Sequence, residues 1–167
     1  MPAWFRKPSG TYARSTPDWY AHQRGRASGL INATLMPAQK PCVGLYNNSS
    51  PSVYLHVIGV MIQNSAPASV WAKYLTGAVP PADSGATGYA SVSVPLYSND
   101  PTPPGVVQLG FDPNLSEEDA TLLEGSPVYW YPPWELAVIA PGDTWEFYTN
   151  QVNGTLEVMF DWIWMLD

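Results

Sequence analysis

The sequence predicts an all-β protein: an antiparallel β-sandwich of jelly-roll type, with an extended N-terminal arm and one short helix. Charged residues make up only 13% of the chain, aromatic residues make up another 13%, and 18 residues are proline. Short apolar runs separated by proline, glycine and asparagine clusters are typical of strands joined by turns rather than of long helices. The chain of 167 residues has the length of one domain with an appended segment. We therefore predict an arm over residues 1–40 and a sandwich domain over residues 41–167.

The predicted arm combines basic charge with scattered aromatic side chains. Residues 1–40 hold six basic residues and one acid, whereas residues 41–167 hold one basic residue and thirteen acids. Exposed ion pairs contribute ~0–1 kcal/mol each, but burying the larger aromatic side chains of the arm would contribute about 15–25 kcal/mol before ordering costs. We expect the aromatic residues to anchor the arm on a partner protein and the charges to guide it. The expected partner-binding residues are Trp4, Phe5, Arg6, Lys7, Arg14, Trp19, Tyr20, Arg24 and Arg26.

The first half of the predicted sandwich contains the strongest single strand. Residues 52–63 are apolar on both faces, which is typical of a strand in the middle of a sandwich or under a neighbouring subunit. Gly59 inside this run predicts a bulge or a close backbone approach. Residues 89–96 alternate apolar and small polar side chains, which predicts a further strand.

A short helix is predicted between two of the later strands. Ser116 is placed to cap it, the acids that follow favour the first turn of a helix, and Gly125 ends it. The acids Asp112, Glu117, Glu118 and Asp119 are also candidate calcium ligands. Their spacing is not that of an EF-hand loop, and capping accounts for them, so we predict no metal site.

The C-terminal third has the clearest strand pattern. Residues 128–131, 135–140, 144–149 and 155–165 are predicted strands, and Asn153-Gly154 between the last two is a strong hairpin signal. In the last strand one face is apolar and the other carries acids. The apolar face comprises Leu156, Val158, Phe160, Trp162 and Trp164, and the other face includes Glu157 and Asp161.

Few residues could support catalysis. The only histidines are His22, in the arm, and His56, in the most apolar strand, where a neutral, hydrogen-bonded histidine is expected. Cys42 is the only cysteine, so no internal disulfide can form. We predict no enzyme activity and no cofactor. A hydrolase that uses strand carboxylates remains an alternative, and its candidates are Glu135, Glu146, Glu157 and Asp161.

The aromatic cluster at Trp130, Tyr131 and Trp134 has three interpretations. The side chains could fill the core, anchor a protein interface, where Trp and Tyr dominate binding energy, or form a flat platform for a sugar. Nucleic acid is a further target for a basic arm, but the acidic body would repel phosphate. The start of the chain lacks the apolar segment of a signal peptide, and no run approaches the length of a membrane span. We predict neither a nucleic-acid nor a membrane partner.

Two segments carry a resemblance to a known group of proteins. Residues 45–57 read LYNNSSPSVYLHV, and the ending combines AVIAPGDTW at residues 137–145 with LEVMFDW at residues 156–162. This order is similar to that of small structural proteins of tailed-phage virions. The match covers about residues 42–64 and 127–165. In such proteins a β-sandwich decorates the capsid or forms part of the tail or a fibre.

The resemblance implies a structural role in a virion and supplies no catalytic residues. The favoured expectation is a capsid cement or decoration protein that binds capsid or other virion proteins. It would act as a symmetric homo-oligomer such as a trimer, located in the virion after synthesis in the host cytoplasm. The alternative is a carbohydrate- or receptor-binding sandwich of tail or fibre type.

Overall fold

The protein is an all-β sandwich of two antiparallel sheets, as the sequence predicts. The computed structural model describes residues 22–33, 40–64, 69–77, 87–112, 121–124, 128–130, 137–149 and 154–166. The strands within these ranges are β1 (Arg24–Ala33), β2 (Lys40–Tyr46), β3 (Val53–Asn64), β4 (Ser69–Leu75), β5 (Thr87–Ala90), β6 (Val94–Pro95), β7 (Val106–Asp112), β8 (Thr121–Glu124), β9 (Val128–Trp130), β10 (Ala137–Ile139), β11 (Thr144–Thr149) and β12 (Gly154–Leu166).

The strand order is that of a jelly roll with an insertion. One sheet has seven strands, ordered β10-β3-β12-β1-β5, with β9 also paired to β3 and β6 also paired to β1. The other sheet has five strands, ordered β7-β2-β11-β4-β8. Nine strands remain without β5, β6 and β7, and β9 and β10 both pair with β3. With β9 and β10 counted as one position, the order is β10-β3-β12-β1 in one sheet and β2-β11-β4-β8 in the other, the arrangement of an eight-stranded jelly roll. The segment at residues 87–112 follows β4 and adds strands beside β1 and β2.

Strand β12 is the centre of the core, and its predicted apolar face is confirmed. Leu156, Val158, Phe160 and Trp162 are fully buried, and Trp164 packs against the same cluster. Burying an aliphatic or Phe side chain contributes about 1.5–3 kcal/mol, so this one face supplies a large part of the stability of the sandwich.

The bulge predicted at Gly59 is confirmed in the pairing of β3 with β12. Gly59 pairs with Asp161, but the next residue of β12, Trp162, pairs with Val57. Ile58 is therefore the extra residue. Because a strand alternates faces with a period of two, this insertion lets the residues on both sides of it keep the same core-facing side. The buried residues of β3 on the two sides are Leu55, Val57, Val60 and Ile62.

The sandwich includes residues before position 41, because β1 at Arg24–Ala33 belongs to its larger sheet. Residues 24–33 were assigned to the arm, yet they form β1, which lies between β12 and β5. Its buried positions include Gly25, Ala27 and Gly29, which are too small to give an apolar period in the sequence. A Cβ added to Gly25 would lie 2.7 Å from the ring of Trp162, so the large side chain comes from the neighbouring strand.

The short helix is not seen in the described residues. Thr121–Glu124, which the sequence analysis placed in that helix, form β8 beside β4. The start of the predicted helix, including Ser116, lies outside the described residues. Pairing along the edge of β4 outweighs the weak local preference of four residues for a helix.

A second, small cluster packs on the five-stranded sheet. It consists of Cys42, Trp71 and Tyr148, and the rings of Trp71 and Tyr148 stack with centroids 5.5 Å apart. The thiol of Cys42 is buried and donates a hydrogen bond to the carbonyl of Gly110 at 3.3 Å. Burial keeps this sole cysteine away from solvent oxidants and metals.

Candidate assembly surface

One surface of the insertion exposes large apolar side chains, and we call it the apolar strip. Val92 is 79% exposed and Tyr89 is 63% exposed, far above the values of core residues. Within the described part of the chain, every exposed large hydrophobic residue except Tyr74 belongs to this surface. The apolar strip consists of Tyr89, Val92, Val94, Leu96, Tyr97 and Val106.

Two inward serines determine which face of the strip is exposed. The N–H of Ser28 in β1 donates a hydrogen bond to Ser91 Oγ at 2.8 Å, and Ser93 Oγ donates one to the carbonyl of Gly105. Because side chains alternate along an extended chain, Val92 and Val94 then point outward. A solvated strand normally has the reverse arrangement, with its apolar side chains on the core.

The apolar strip lies along the outer edge of the seven-stranded sheet. No strand lies beyond β5 and β6 among the residues that the structure describes. Soluble proteins usually protect such an edge with charge, especially lysine, but residues 87–97 contain no charged residue. An uncharged apolar edge is a feature of protein interfaces.

A groove of about 380 Å³ runs beside the strip. Its walls include Val92 and Val106 from the strip and the prolines Pro103 and Pro104 from the preceding loop. The carbonyl of Pro104 accepts a hydrogen bond from Trp162 Nε1 at 3.0 Å. This hydrogen bond fixes the wall of the groove to a core residue. Less conformational entropy of the loop is then lost when a partner binds there.

Gly105 holds the loop in place behind the groove. Its φ is +104°, a conformation that favours glycine, and a Cβ would lie 3.0 Å from Leu55 Cδ1. Its N–H donates to Asn48 Oδ1 at 3.0 Å. The turn after β2, the loop before β7 and the strip are therefore joined into one surface.

His22, the first described residue, lies at one end of the apolar strip. His22 Nδ1 lies 2.8 Å from Asp100 Oδ1, and its ring centroid is 5.2 Å from that of Tyr97. The carbonyl of Gln23 accepts a hydrogen bond from the N–H of Trp164 at 3.0 Å. The described chain consequently begins next to Tyr97.

The two arginines predicted to bind a partner lie in β1 and bind a carboxylate of their own chain. Arg24 Nε donates to Asp161 Oδ1 at 2.7 Å, and Arg24 Nη2 donates to Asp161 Oδ2. Arg26 donates to the same Oδ2 at 2.9 Å. Asp161 is 1% exposed, so the arginines offset the cost of burying its charge. A partner would have to compete with this contact.

Of the other predicted binding residues, only Trp130 lies within the described ranges. It lies in β9 opposite Val60. The remaining predictions lie outside the described residues, namely Trp4, Phe5, Arg6, Lys7, Arg14, Trp19, Tyr20, Tyr131 and Trp134.

Two of the strand carboxylates considered for hydrolysis lie on opposite sides of the molecule. Glu146 in β11 and Asp161 in β12 alternate with core residues, so each lies on the outer face of its own sheet. The catalytic carboxyl groups of glycosidases flank one bond at about 5–10 Å, whereas the two packed sheets alone are about 10 Å apart. Glu146 and Asp161 therefore cannot form such a pair.

His56, the histidine predicted to be neutral and hydrogen-bonded, is buried. It is 4% exposed in β3, opposite Ile163 of β12. In the part of the chain that the structure describes, no three His, Cys, Asp or Glu side chains are grouped to hold a metal ion. That part also contains no helix of the length and hydropathy needed to cross a membrane.

Comparison with known proteins assigns no family to the chain. No protein-family model matches it, and a search of the curated proteins finds no match either. The jelly-roll topology and the apolar strip are accordingly the observations on which a function is argued.

Proposed function

We propose that this protein is a structural component of a tailed-phage virion, a capsid cement or decoration protein that binds its protein neighbours through the apolar strip. The observation that carries the proposal is the outward apolar face of residues 89–97 on an uncharged sheet edge. Jelly rolls occur in viral capsid domains and in lectins, but a fold alone does not assign a function. An exposed apolar strip is expected of a protein that assembles with others and not of a sandwich that stays monomeric.

The size of the apolar strip supports an interface. Six partly exposed side chains of this size expose an area on the order of 500 Å², within the range in which the largest patch of a monomer is often functional. At ~25 cal/mol per Å², covering this area would contribute roughly 12 kcal/mol before the costs of association. An interface built on the strip can therefore be stable.

The charge distribution supports a specific interface. Residues 41–167 carry thirteen acids and one basic residue, but only Asp100 among these acids falls within residues 87–106. Interface cores are depleted in charged residues. Repulsion between the acidic surfaces elsewhere disfavours other modes of association. The strip is then the preferred contact.

The test uses two full-length double variants that carry the same added charge. The strip variant contains Val92→Asp and Leu96→Asp, and the control contains Ser52→Asp and Thr76→Asp, both in exposed turns. Density-gradient fractions of virions from the source of this sequence should contain the chain. The purified wild type and control should rebind to particles stripped of it, and the strip variant should bind at least tenfold more weakly. Absence of the chain from the virions would refute the proposal.

A second candidate function is carbohydrate or receptor binding by a tail or fibre protein. A groove of about 470 Å³ lies at the turn after β2 and is lined by Tyr46, Tyr54, Asn48 and Ser49. Two tyrosine rings with amide and hydroxyl groups suit a sugar, which stacks on aromatic faces and forms hydrogen bonds. Saturable glycan binding that Tyr54→Ala abolishes, and that the strip variant retains, would favour this function. The cluster at Trp130, Tyr131 and Trp134 is the other proposed sugar platform.

A further inference from the structure

We propose that the apolar strip binds the N-terminal arm of a neighbouring copy of this chain. The arm is here residues 1–21, the segment that precedes His22 and β1 in the sequence. This inference rests on the proposed function, because it names the partner of the same surface. It assigns the aromatic residues of the arm to the strip and its basic residues to the acid at the end of the strip.

The area of the strip leaves room for such a partner. A stable interface buries about 800 Å² on each side, and the strip alone supplies an area on the order of 500 Å². An extended segment that lies along the strip would cover it and also contact the groove lined by Pro103 and Pro104. Two strips facing each other would not use the groove in this way.

The chemistry of the two segments is complementary. The outward face of the strip is apolar and uncharged, and the arm contains Trp4, Phe5, Trp19 and Tyr20. No described strand lies beyond β5 and β6, so this edge offers backbone groups to an added strand, as in other peptide complexes formed by strand addition. Side chains of alternate residues in that strand would then contact the apolar strip.

Asp100 supplies the matching charge. It is the only acid in residues 87–106, and the arm carries Arg6, Lys7 and Arg14 against a single acid. Its Oδ1 contacts His22, but its Oδ2 is buried and accepts no hydrogen bond from a described residue. The partly exposed carboxylate of Asp100 places negative charge at the end of the strip, which favours an arginine or lysine of the arm.

The direction of the chain favours a neighbour's strip over the chain's own. Through Gln23 the backbone still follows β1, because its carbonyl pairs with Trp164 of β12. The strip runs antiparallel to β1, so the arm would have to reverse sharply at residue 22 to cover its own strip. Twenty-one extended residues span up to about 70 Å, which is enough to reach a second copy without that reversal. Head-to-tail exchange of this kind forms a ring, such as a trimer, when the rotation between successive copies closes.

The experiment uses two full-length variants with complementary defects. The arm variant has Trp4, Phe5, Trp19 and Tyr20 changed to Ser, and the strip variant is Val92→Asp with Leu96→Asp. Masses are measured by sedimentation at micromolar concentration, with circular dichroism to confirm folding. The wild type should be oligomeric and each variant alone should be monomeric. An equimolar mixture should form a one-to-one complex, because the intact arm of the strip variant meets the intact strip of the arm variant.

Each other outcome overturns the inference in a distinct way. An arm variant that assembles like the wild type would mean that strips pair with each other. A mixture that stays monomeric would show that the two segments do not bind. A monomeric wild type would mean that no exchange occurs between copies. If such a monomer still bound stripped virions through the strip, the proposed function would stand and the arm exchange alone would fail. If it did not bind them, both would fail.

Discussion

Strand β12 and the edge segment at residues 87–97 belong to the same sheet and have opposite apolar faces. Both alternate apolar with polar residues in the sequence. In β12 the apolar set is fully buried, whereas in the edge segment Val92 is 79% exposed. Alternation therefore predicts a strand with two different faces, but it does not predict which face is buried. That choice depends on what lies beside and beneath the strand.

The difference arises from the neighbours. Strand β12 is paired on both sides, by β3 and β1, and its apolar face lies over the five-stranded sheet. Beneath the edge segment, that space is already occupied. A Cβ at Gly88 would lie 2.6 Å from Leu109 Cδ1, so β7 fills the interior there. The serines face inward because backbone groups of β1 and of Gly105 bind them.

The largest expected effect is in the core. Trp162→Ala should lower the free energy of unfolding by about 3–5 kcal/mol, since it creates a cavity among buried residues. It also leaves the carbonyl of Pro104 without its donor. Urea unfolding followed by circular dichroism measures the effect. A loss below 1 kcal/mol would show that β12 does not dominate the core as the burial indicates.

A smaller effect is expected on the outer face of β12. Asp161→Asn should cost about 2 kcal/mol, because it removes charge-assisted hydrogen bonds from two arginines that can still reach water. Glu157→Gln, on the same strand and only half-buried, is the control and should be near neutral. Equal unfolding free energies for the two variants would contradict the role of the arginine pair.

A moderate effect is expected at Tyr74, outside both regions. Its hydroxyl donates to Asp143 at 2.7 Å and accepts the N–H of Ala140 at 3.1 Å. Tyr74→Phe removes both hydrogen bonds and should cost about 1 kcal/mol at neutral pH. Since this contact connects β4 with the loop before β11, the variant should leave assembly through the strip unchanged.

The same tyrosine predicts a dependence on alkaline pH. Burial and, to a smaller extent, Asp143 together raise the pKa of Tyr74 from 10 to about 12, against the opposing N–H of Ala140. The folded state therefore holds the proton more tightly than the unfolded state. This contribution is complete below pH 10 and is lost as the pH rises to about 12. The stability difference between wild type and Tyr74→Phe should shrink over that range, and a constant difference in thermal melts would contradict the assignment.

The smallest effect on stability is expected on the strip. Val92→Ser should change the free energy of unfolding by less than about 0.5 kcal/mol, yet it should weaken self-association. The same substitution at Val158, which is fully buried in β12, is the matched variant and should cost several-fold more stability. If both variants destabilise equally, the edge segment is buried in solution and the comparison fails.

The elements that the sequence predicted well are those whose pattern is local. The buried face of β12 could be predicted because large apolar side chains occupy alternate positions of the strand. The bulge in β3 could be predicted because a glycine interrupts an apolar run. Strand β1 was missed because Gly25 and Gly29 face the core and carry no apolar signal. The predicted helix includes Thr121–Glu124, which pair with β4 instead. The sequence around these four residues contains no signal for that pairing.

The apolar strip was readable only in part. The alternation of residues 89–96 predicted a strand, and the absence of charge in the same segment could have indicated an interface. The outward direction of Val92 depends on hydrogen bonds to Ser28 and Gly105, which lie 63 and 12 residues away from their serines. The placement of Arg24 and Arg26 on Asp161 is equally non-local.

The sequence by itself determined the class of the fold, because period-two alternation, turn residues and low charge act over a few neighbouring positions. Tertiary packing alone sets the place of β1 in the sheet, the inward side of the edge segment and the partners of the two arginines. These depend on which strands lie side by side, and strands far apart in the chain are brought together by burial of a shared core. The exposed sheet edge beside His22 is a product of that packing.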